Sequence, residues 1–197
     1  MKLENSFEVP ASRAQAWELL MDIPRVVPCM PGAELKETIS DSEWKAEMGV
    51  KLGPIALAFD TDVTREAVDE AGGSVTLSAR AREKRGRGGA QAAIQSTLSE
   101  IAGGTRIDIV TDLTLSGAVA QYGRGIVQDV SSQLVDRFAD CLKAQLVSTP
   151  EIAAAAVAEQ AKPISGISLG IGAVLRSFGR FFRRLLGGGG QKGGSNS

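Results

Sequence analysis

The residues of this chain best placed to do chemistry stand near its end. VLRSFGRFFRRLLGGGG, residues 174–190, mixes bulky apolar side chains with four arginines, contains no acid, and runs into glycine. On a helical wheel, Ile171, Val174, Leu175, Phe178, Phe181, Phe182, Leu185 and Leu186 fall within about 140° of arc. Arg176, Arg180, Arg183 and Arg184 fall within about 100° on the opposite side. The four arginines exclude a membrane span, and a core helix would mix acids with bases on its polar face. An all-basic face opposite a Phe-rich one is the pattern of a helix lying in the interface of an anionic bilayer. Self-association or docking onto a protein partner is the rival reading, with nucleic acid behind both.

Catalytic chemistry has little to work with. There is no histidine, so the commonest general base and metal ligand is missing. Asp60 and Asp62 lie two apart on a strand pattern, on its outward parity, and read as a solvated face rather than an acid/base pair. The glycine pairs at 72–73, 88–89 and 103–104 fall between alternating stretches, as hairpin turns do, and none leads a strand into a helix as a phosphate loop must. Gly123-Arg124-Gly125 follows SGAVAQY on a helical pattern and is no dinucleotide fingerprint. These residues predict a protein that is not an enzyme and holds no metal.

The chain has 197 residues, room for one domain with a sizeable core. Its net charge of −1 hides an asymmetry: residues 1–150 carry 16 basic and 21 acidic side chains, a net −5, and residues 151–197 carry 6 and 2, a net +4. An acidic globule trails a basic tail. Cys29 and Cys141 show no ligand spacing and read as two reduced, mostly buried thiols of a cytosolic protein. MKLENSFEV has no apolar core of a secretory signal, and no apolar run is long enough to span a membrane.

The elements that must position these residues follow from periodicity. KLENSFEV alternates as a half-buried strand; Ser12 to about Asp22 reads as a helix with Trp17, Leu20 and Met21 inward; a second short helix breaks at Pro31-Gly32. From 33 to 117 the period is two. Trp44, Ala46, Met48, Val50 and Leu52 share one face, as do Ile55, Leu57, Phe59, Thr61 and Val63, then Val75, Leu77, Ala79 and Ala81, with turns at Gly53-Pro54, 70–73, 86–89 and 103–104. Val119, Tyr122, Ile126, Val130, Leu134, Phe138 and Cys141 then recur at three and four, a long amphipathic helix ending near Leu146. The fold class is α+β: a curved antiparallel sheet wrapped around a long C-terminal helix, the helix-grip arrangement. It predicts a domain over 1–148, an Ala/Gly/Ser-rich linker over 149–170, the basic amphipathic helix over 171–186 and a disordered glycine-rich end over 187–197.

Two features of that sheet bear on binding. The inward positions along 79–96 are mostly small: Ala79, Ala81, Ala90, Ala92, Ile94 and Ser96. A sheet lined with alanine against a helix bearing Gly123 and Gly125 is short of side-chain volume, so the space either closes in a flatter packed core or admits a ligand. RAREKRGRGG, 80–89, places five positive charges on one hairpin: a solvated turn, or a docking patch for an acidic partner or anionic headgroups. No aromatic platform accompanies them, which argues against nucleic acid.

EVPASRAQAWELL (8–20), CMPGAEL (29–35), VKLGPIALAFDTDVT (50–64), GRGGAQAAIQSTL (86–98) and GGTRIDIVTDLTLSGAVAQYGRGIV (103–127) resemble the CoxG family of carbon monoxide dehydrogenase subunits, within the START-like (SRPBCC) superfamily. The Pro-Gly after the second helix and the Lys-x-Gly-Pro turn are the more specific marks; Asp22-Ile23-Pro24 replaces the family's usual Asp-Pro. The resemblance implies a helix-grip cavity for an apolar ligand and an accessory role beside a molybdenum-containing dehydrogenase at the cytoplasmic membrane, with no shared catalytic residue. On that basis the cavity is expected to be lined by Met21, Met30, Met48, Val50, Leu57, Phe59, Leu77, Ala79, Ala92, Ile94, Leu113, Tyr122, Gly123, Ile126 and Val130. The expected ligand is a respiratory quinone such as menaquinone. The expected partners are the molybdenum-containing dehydrogenase complex and anionic lipids, the latter met by Leu175, Arg176, Phe178, Arg180, Phe181, Phe182, Arg183, Arg184 and Leu185. The location is the cytoplasmic side of the membrane, peripherally bound. The rivals are a lipid or fatty-acid carrier without an oxidoreductase partner, and a maturation factor for the dehydrogenase.

Overall fold

The computed structural model describes residues 1–52 and 55–147. β1 (Lys2–Val9) leads to α1 (Arg13–Met21), α2 (Ile23–Val26) and a 3-10 turn (Val27–Cys29). Six strands follow: β2 (Ala33–Thr38), β3 (Glu43–Leu52), β4 (Ile55–Asp69), β5 (Ser74–Glu83), β6 (Gly88–Ile101) and β7 (Gly104–Gly117). A second 3-10 turn (Ala118–Tyr122) delivers the chain into α3 (Gly123–Val147). The linker and tail expected at 149–197 lie outside the described residues.

Local chemistry explains the helical corner. Ser12 and Gln15 close a capping box: the Ser12 hydroxyl accepts from the Gln15 amide and the Gln15 side chain accepts from the Ser12 amide. Asp22 caps α2, accepting from the Arg25 amide, and a proline sits in the first turn. The buried side of α1 is Ala16 and Leu19, with Trp17 and Leu20 only half-buried. This shifts the inward stripe from the expected Trp17, Leu20 and Met21, because small Ala16 lets the helix approach Leu98 and Ile107 closely. Gly32 turns the chain with φ +77°, and a Cβ there would stand 2.3 Å from the Gly49 carbonyl oxygen, so only glycine fits.

The sheet is antiparallel throughout, in the order β1-β7-β6-β5-β4-β3-β2. The meander predicted from period-two alternation is present, with β1 added on the edge of β7. Register shifts between Leu35 and Glu37 and between Arg65 and Ala67 mark irregularities of the kind that bend strands. The long C-terminal helix starts later than periodicity suggested. Residues 118–122 form a 3-10 turn, and α3 begins at Gly123, whose φ of +73° cannot continue a right-handed helix from Tyr122.

The core falls into two regions. Val9, Ala11, Ala16, Leu98 and Ile107 form one cluster, and Leu19, Cys29, Phe138, Cys141 and Leu142 another. Phe7, Leu20 and Leu146 pack against both, which makes one region under the helices. Leu57, Phe59 and Val119 form a separate cluster at the other end of the sheet.

The cysteines overturn the expectation of free thiols. Cys29 and Cys141 form a disulfide across 112 residues of sequence, with Cα atoms 5.4 Å apart and no exposure at either residue. Neither helical periodicity nor the proline-rich turn signals that these two elements meet.

Candidate ligand-binding groove

Each inward strand position has a partner at the same height on the next strand, so side chains form rows across the sheet. One row runs Trp44–Val63–Ala79–Ala92–Leu113, and the next, beyond it, Arg65–Leu77–Ile94–Thr111. On the other side lies Ala46–Thr61–Ala81–Ala90–Leu115. Val63, Leu77, Ala79, Ala92, Ile94 and Leu113 belong to none of the three core clusters, and all are half-buried rather than sealed. The nearest backbone neighbours of α3 are β1 and the 3-10 turns, rather than β4, β5 or β6. Alanines at 79 and 92 offer little side-chain volume to this row. These apolar side chains, half-buried between packed clusters, form the candidate ligand-binding groove on the inward face of the sheet.

The residues expected to line a cavity divide accordingly. Leu77, Ala79, Ala92, Ile94 and Leu113 share the floor of the groove. Leu57 and Phe59 are buried in the far cluster, with Val50 and Tyr122 packed against it. Val130 is buried on α3, Gly123 stands in open space, and Ile126 is 47% exposed. The methionines do not converge: Met21 ends α1, Met30 packs beside the disulfide, and Met48 stands opposite Phe59 on β3. The residues expected to meet the membrane, 175–185, lie outside the described residues. A shallow depression of about 380 Å³, lined by Pro10, Ala11, Ser12, Arg13, Gln15, Glu100, Ile101, Gly103 and Gly104, holds none of the expected residues.

Periodicity passed over two charged residues on this face. Arg65 continues the inward parity of Thr61 and Val63. Its guanidinium lies 5.0 Å from the centre of the Trp44 ring, and Nη2 donates to the Met21 carbonyl at 2.8 Å. This ties β4 to the end of α1. Glu83 is the second, only 5% exposed, and its carboxylate accepts from the Arg85 and Arg87 amides at 2.8 and 3.1 Å. Desolvation pushes its pKa up, but these backbone hydrogen bonds outweigh it and hold the carboxyl below its ordinary value of 4.5. A depressed folded pKa adds stability that is complete above the unfolded value and lost as pH falls through the folded one. The melting-temperature gap between wild type and Glu83→Gln is therefore expected to be widest near neutral pH and to close as pH falls below the ordinary carboxylate value and through the lowered folded one. A gap that does not change with pH would show that the charge contributes nothing.

Acidic residues of the neighbouring strands stand beside part of the basic hairpin. Arg80 stands opposite Asp62 and Arg82 opposite Asp60, and Lys84 pairs with Glu47 and Asp60. Asp60 and Asp62 are exposed, as expected of the outward parity. Among the described residues no group of His, Cys, Asp or Glu is arranged to hold a metal ion, and no helix is long and apolar enough to cross a membrane.

Solved structures share this fold at low identity. A conserved protein from Geobacillus kaustophilus superposes with TM-score 0.67 at 19% identity, over 74% of this chain and 95% of the other. A START superfamily protein from Mycobacterium smegmatis superposes with TM-score 0.53 at 12% identity, over 74% and 96%. A further protein from the same organism gives 0.55 at 18%, over 75% and 91%. The fold is START-like. No curated protein matches in sequence. The model of the CoxG family of carbon monoxide dehydrogenase subunits matches residues 6–147, every strand and helix that builds the groove, and the chain belongs to that family.

Proposed function

We propose that this protein is a non-enzymatic accessory of a molybdenum-containing carbon monoxide dehydrogenase or related hydroxylase, tethered to the membrane and carrying a respiratory quinone in its groove. Family membership supports an accessory role to carbon monoxide dehydrogenase. The observation that carries the carrier reading is the half-buried apolar row Val63–Ala79–Ala92–Leu113, which lies outside the packed clusters. The part of these six half-buried apolar side chains that stays accessible is a standing cost that an apolar ligand removes, at roughly 25 cal/mol per Å². A water-soluble dehydrogenase needs a lipid-confined electron acceptor, and an apolar groove held at the bilayer surface closes that gap. The tail, with its basic and apolar faces, supplies the hold on anionic lipid, on the cytoplasmic side. Cytosolic proteins seldom keep disulfides, but this one is shielded from dissolved thiols by complete burial.

Organic extraction and native mass spectrometry of protein purified from its host are expected to yield a quinone at near one per chain. A ligand-free protein would sink the carrier reading. Enlarging the floor tests the same point: Ala92→Phe is expected to hold or raise the melting temperature while extracted quinone falls. In a packed core the same change would cost roughly 1–3 kcal/mol. Leu142→Ala, at a residue only 1% exposed, is the core control and is expected to cost roughly 2–5 kcal/mol. An Ala92→Phe protein that melts far lower with normal quinone content would place position 92 in packed core.

A further inference from the structure

The antiparallel meander brings three connections to one end of the domain: the turn after β3, the hairpin between β5 and β6, and the passage from β7 into α3. They are tied together. The Lys84 amide donates to the Ala58 carbonyl at 2.8 Å, the Ala118 amide donates to the Arg87 carbonyl at 2.8 Å, and Leu57, Phe59 and Val119 pack beneath. Residues 49–59, 84–90 and 115–126, which build this end, hold five basic side chains and no acid: Lys51, Lys84, Arg85, Arg87 and Arg124. The remainder of residues 1–150 holds 11 basic and 21 acidic side chains. The domain is polarised, with one positive end on an acidic body.

Two of the five cations have internal business. Lys84 pairs with Glu47 and Asp60, and the Arg87 charge helps keep the Glu83 carboxylate ionised. Lys51, Arg85 and Arg124 are exposed and form no ion pair among the described residues. The surface between them is low: a Cβ at Gly86, Gly123 or Gly125 would meet nothing within 4 Å, and Ala118 and Ala120 are exposed. Ile126, on the first turn of α3, is 47% exposed. Like charges gathered without counter-ions repel one another in the isolated domain, and a negative surface outside it reverses that sign.

We infer that this end of the domain is a second membrane contact, which rests on an anionic bilayer with Lys51, Arg85 and Arg124 at the headgroup phosphates and Ile126 at the interface. This rests on the tethering reading and adds what a tail cannot supply, the direction in which the domain faces. A lipid surface fits this end better than an acidic protein does. Protein interfaces centre on a packed apolar core with aromatic anchors, whereas glycine and alanine surround one isoleucine here. Cations spread over three loops need only a diffuse negative field. Each is worth about fivefold in partitioning near such a surface, and the acidic body opposes them, so the contact is weak alone. Once the tail is bound, the domain meets the bilayer at high effective concentration, and a weak second contact suffices. The chain leaves α3 at its far end, roughly 37 Å away, but the 23 residues from 148 to 170 reach roughly 75 Å when extended.

The test uses the full chain with vesicles of phosphatidylcholine, alone or mixed with anionic phosphatidylglycerol. Lys51→Gln, Arg85→Gln and Arg124→Gln together are expected to weaken partitioning onto the anionic vesicles roughly five- to fiftyfold, with the loss shrinking at high salt and absent on neutral vesicles. Lys36→Gln, Lys45→Gln and Arg106→Gln together remove the same charge elsewhere on the sheet and are expected to change partitioning less than about threefold. An environment-sensitive fluorophore attached through Gln121→Cys, an exposed site on the positive end, is expected to brighten on anionic vesicles. Attached through Ser40→Cys, on the β2–β3 turn at the opposite end, it is expected to stay as in water. Both native cysteines are buried in the disulfide and do not compete for label. The inference is overturned if the two triple variants bind alike, or if the label at position 121 stays dark on vesicles that hold the protein. It is overturned too if the first triple variant keeps its hold on vesicles but no longer co-purifies with the dehydrogenase, which makes an acidic protein the occupant. In each of these cases the tail still holds the chain and the tethering reading stands. Wild-type protein that binds no anionic vesicle removes the tethering reading and this inference together.

Discussion

Truncation after Pro150 is expected to move the protein from the membrane fraction to the soluble fraction with its melting temperature unchanged. The elements that close the fold end with α3 at Val147, and the family match ends at the same residue. Laid out as a helix, the tail sequence carries four arginines on one face, each worth on the order of 1 kcal/mol near an anionic surface, so together roughly a thousandfold in partitioning. Burial of the opposite face, with Phe178, Phe181, Phe182 and their aliphatic neighbours, adds several kcal/mol more. Replacing Arg176, Arg180, Arg183 and Arg184 with Gln separates the two contributions. Binding to anionic vesicles is expected to fall steeply and to lose its salt dependence, with little change on neutral vesicles. Sedimentation of the truncated chain with membranes, or its failure to fold, would show that the tail is not an independent anchor.

The second large effect is on stability. Removing the disulfide with Cys29→Ala and Cys141→Ala is expected to cost roughly 4–5 kcal/mol, because a cross-link over about a hundred residues takes that much loop-closure entropy from the unfolded chain. For a domain of this size the melting temperature would drop by about 10–20 °C. The bond joins the 3-10 turn before β2 to the last turns of α3. The α1–α2 corner is thereby held against the helix at the closed end of the groove, beside Leu19, Phe138 and Leu142. Both sulfurs are fully buried, so reductant is expected to act slowly on the folded protein and quickly under partial denaturation. Alkylation of thiols in rapidly quenched cells, read by mass shift, reports the bond in its own compartment. A double-alanine protein that melts within about 2 °C of the oxidised wild type would show the bond to be energetically idle.

The fold and the groove floor are legible in the residues because both depend on local parity. Period-two alternation assigns each strand residue to a face without reference to any other strand, and glycine pairs mark where the direction reverses. Parity alone therefore puts Leu77, Ala79, Ala92, Ile94 and Leu113 on one face, and the tail's two faces follow from the helical angle alone. Resemblance to the CoxG family supplies the rest of the expectation. What the sequence could not determine are relations between residues far apart in it. Cys29 and Cys141 are separated by 112 positions, on elements whose own patterns say nothing of each other, and only the docking of α3 brings them to 5.4 Å. Leu57 and Phe59 share a parity with the groove residues, yet they are sealed by Val119 from the 3-10 turn, a neighbour set by the break at Gly123. Glu83 has inward parity and is a charged residue; it is tolerated because its carboxylate folds onto two amides of its own turn. Arg65 and Thr61 carry the sharpest case. Parity turns both inward, but whether an inward donor finds an acceptor depends on which side chains the register sets around it, and here the register surrounds Thr61 with alanine, valine and phenylalanine. Faces are local properties of a chain, whereas partners belong to the packed whole.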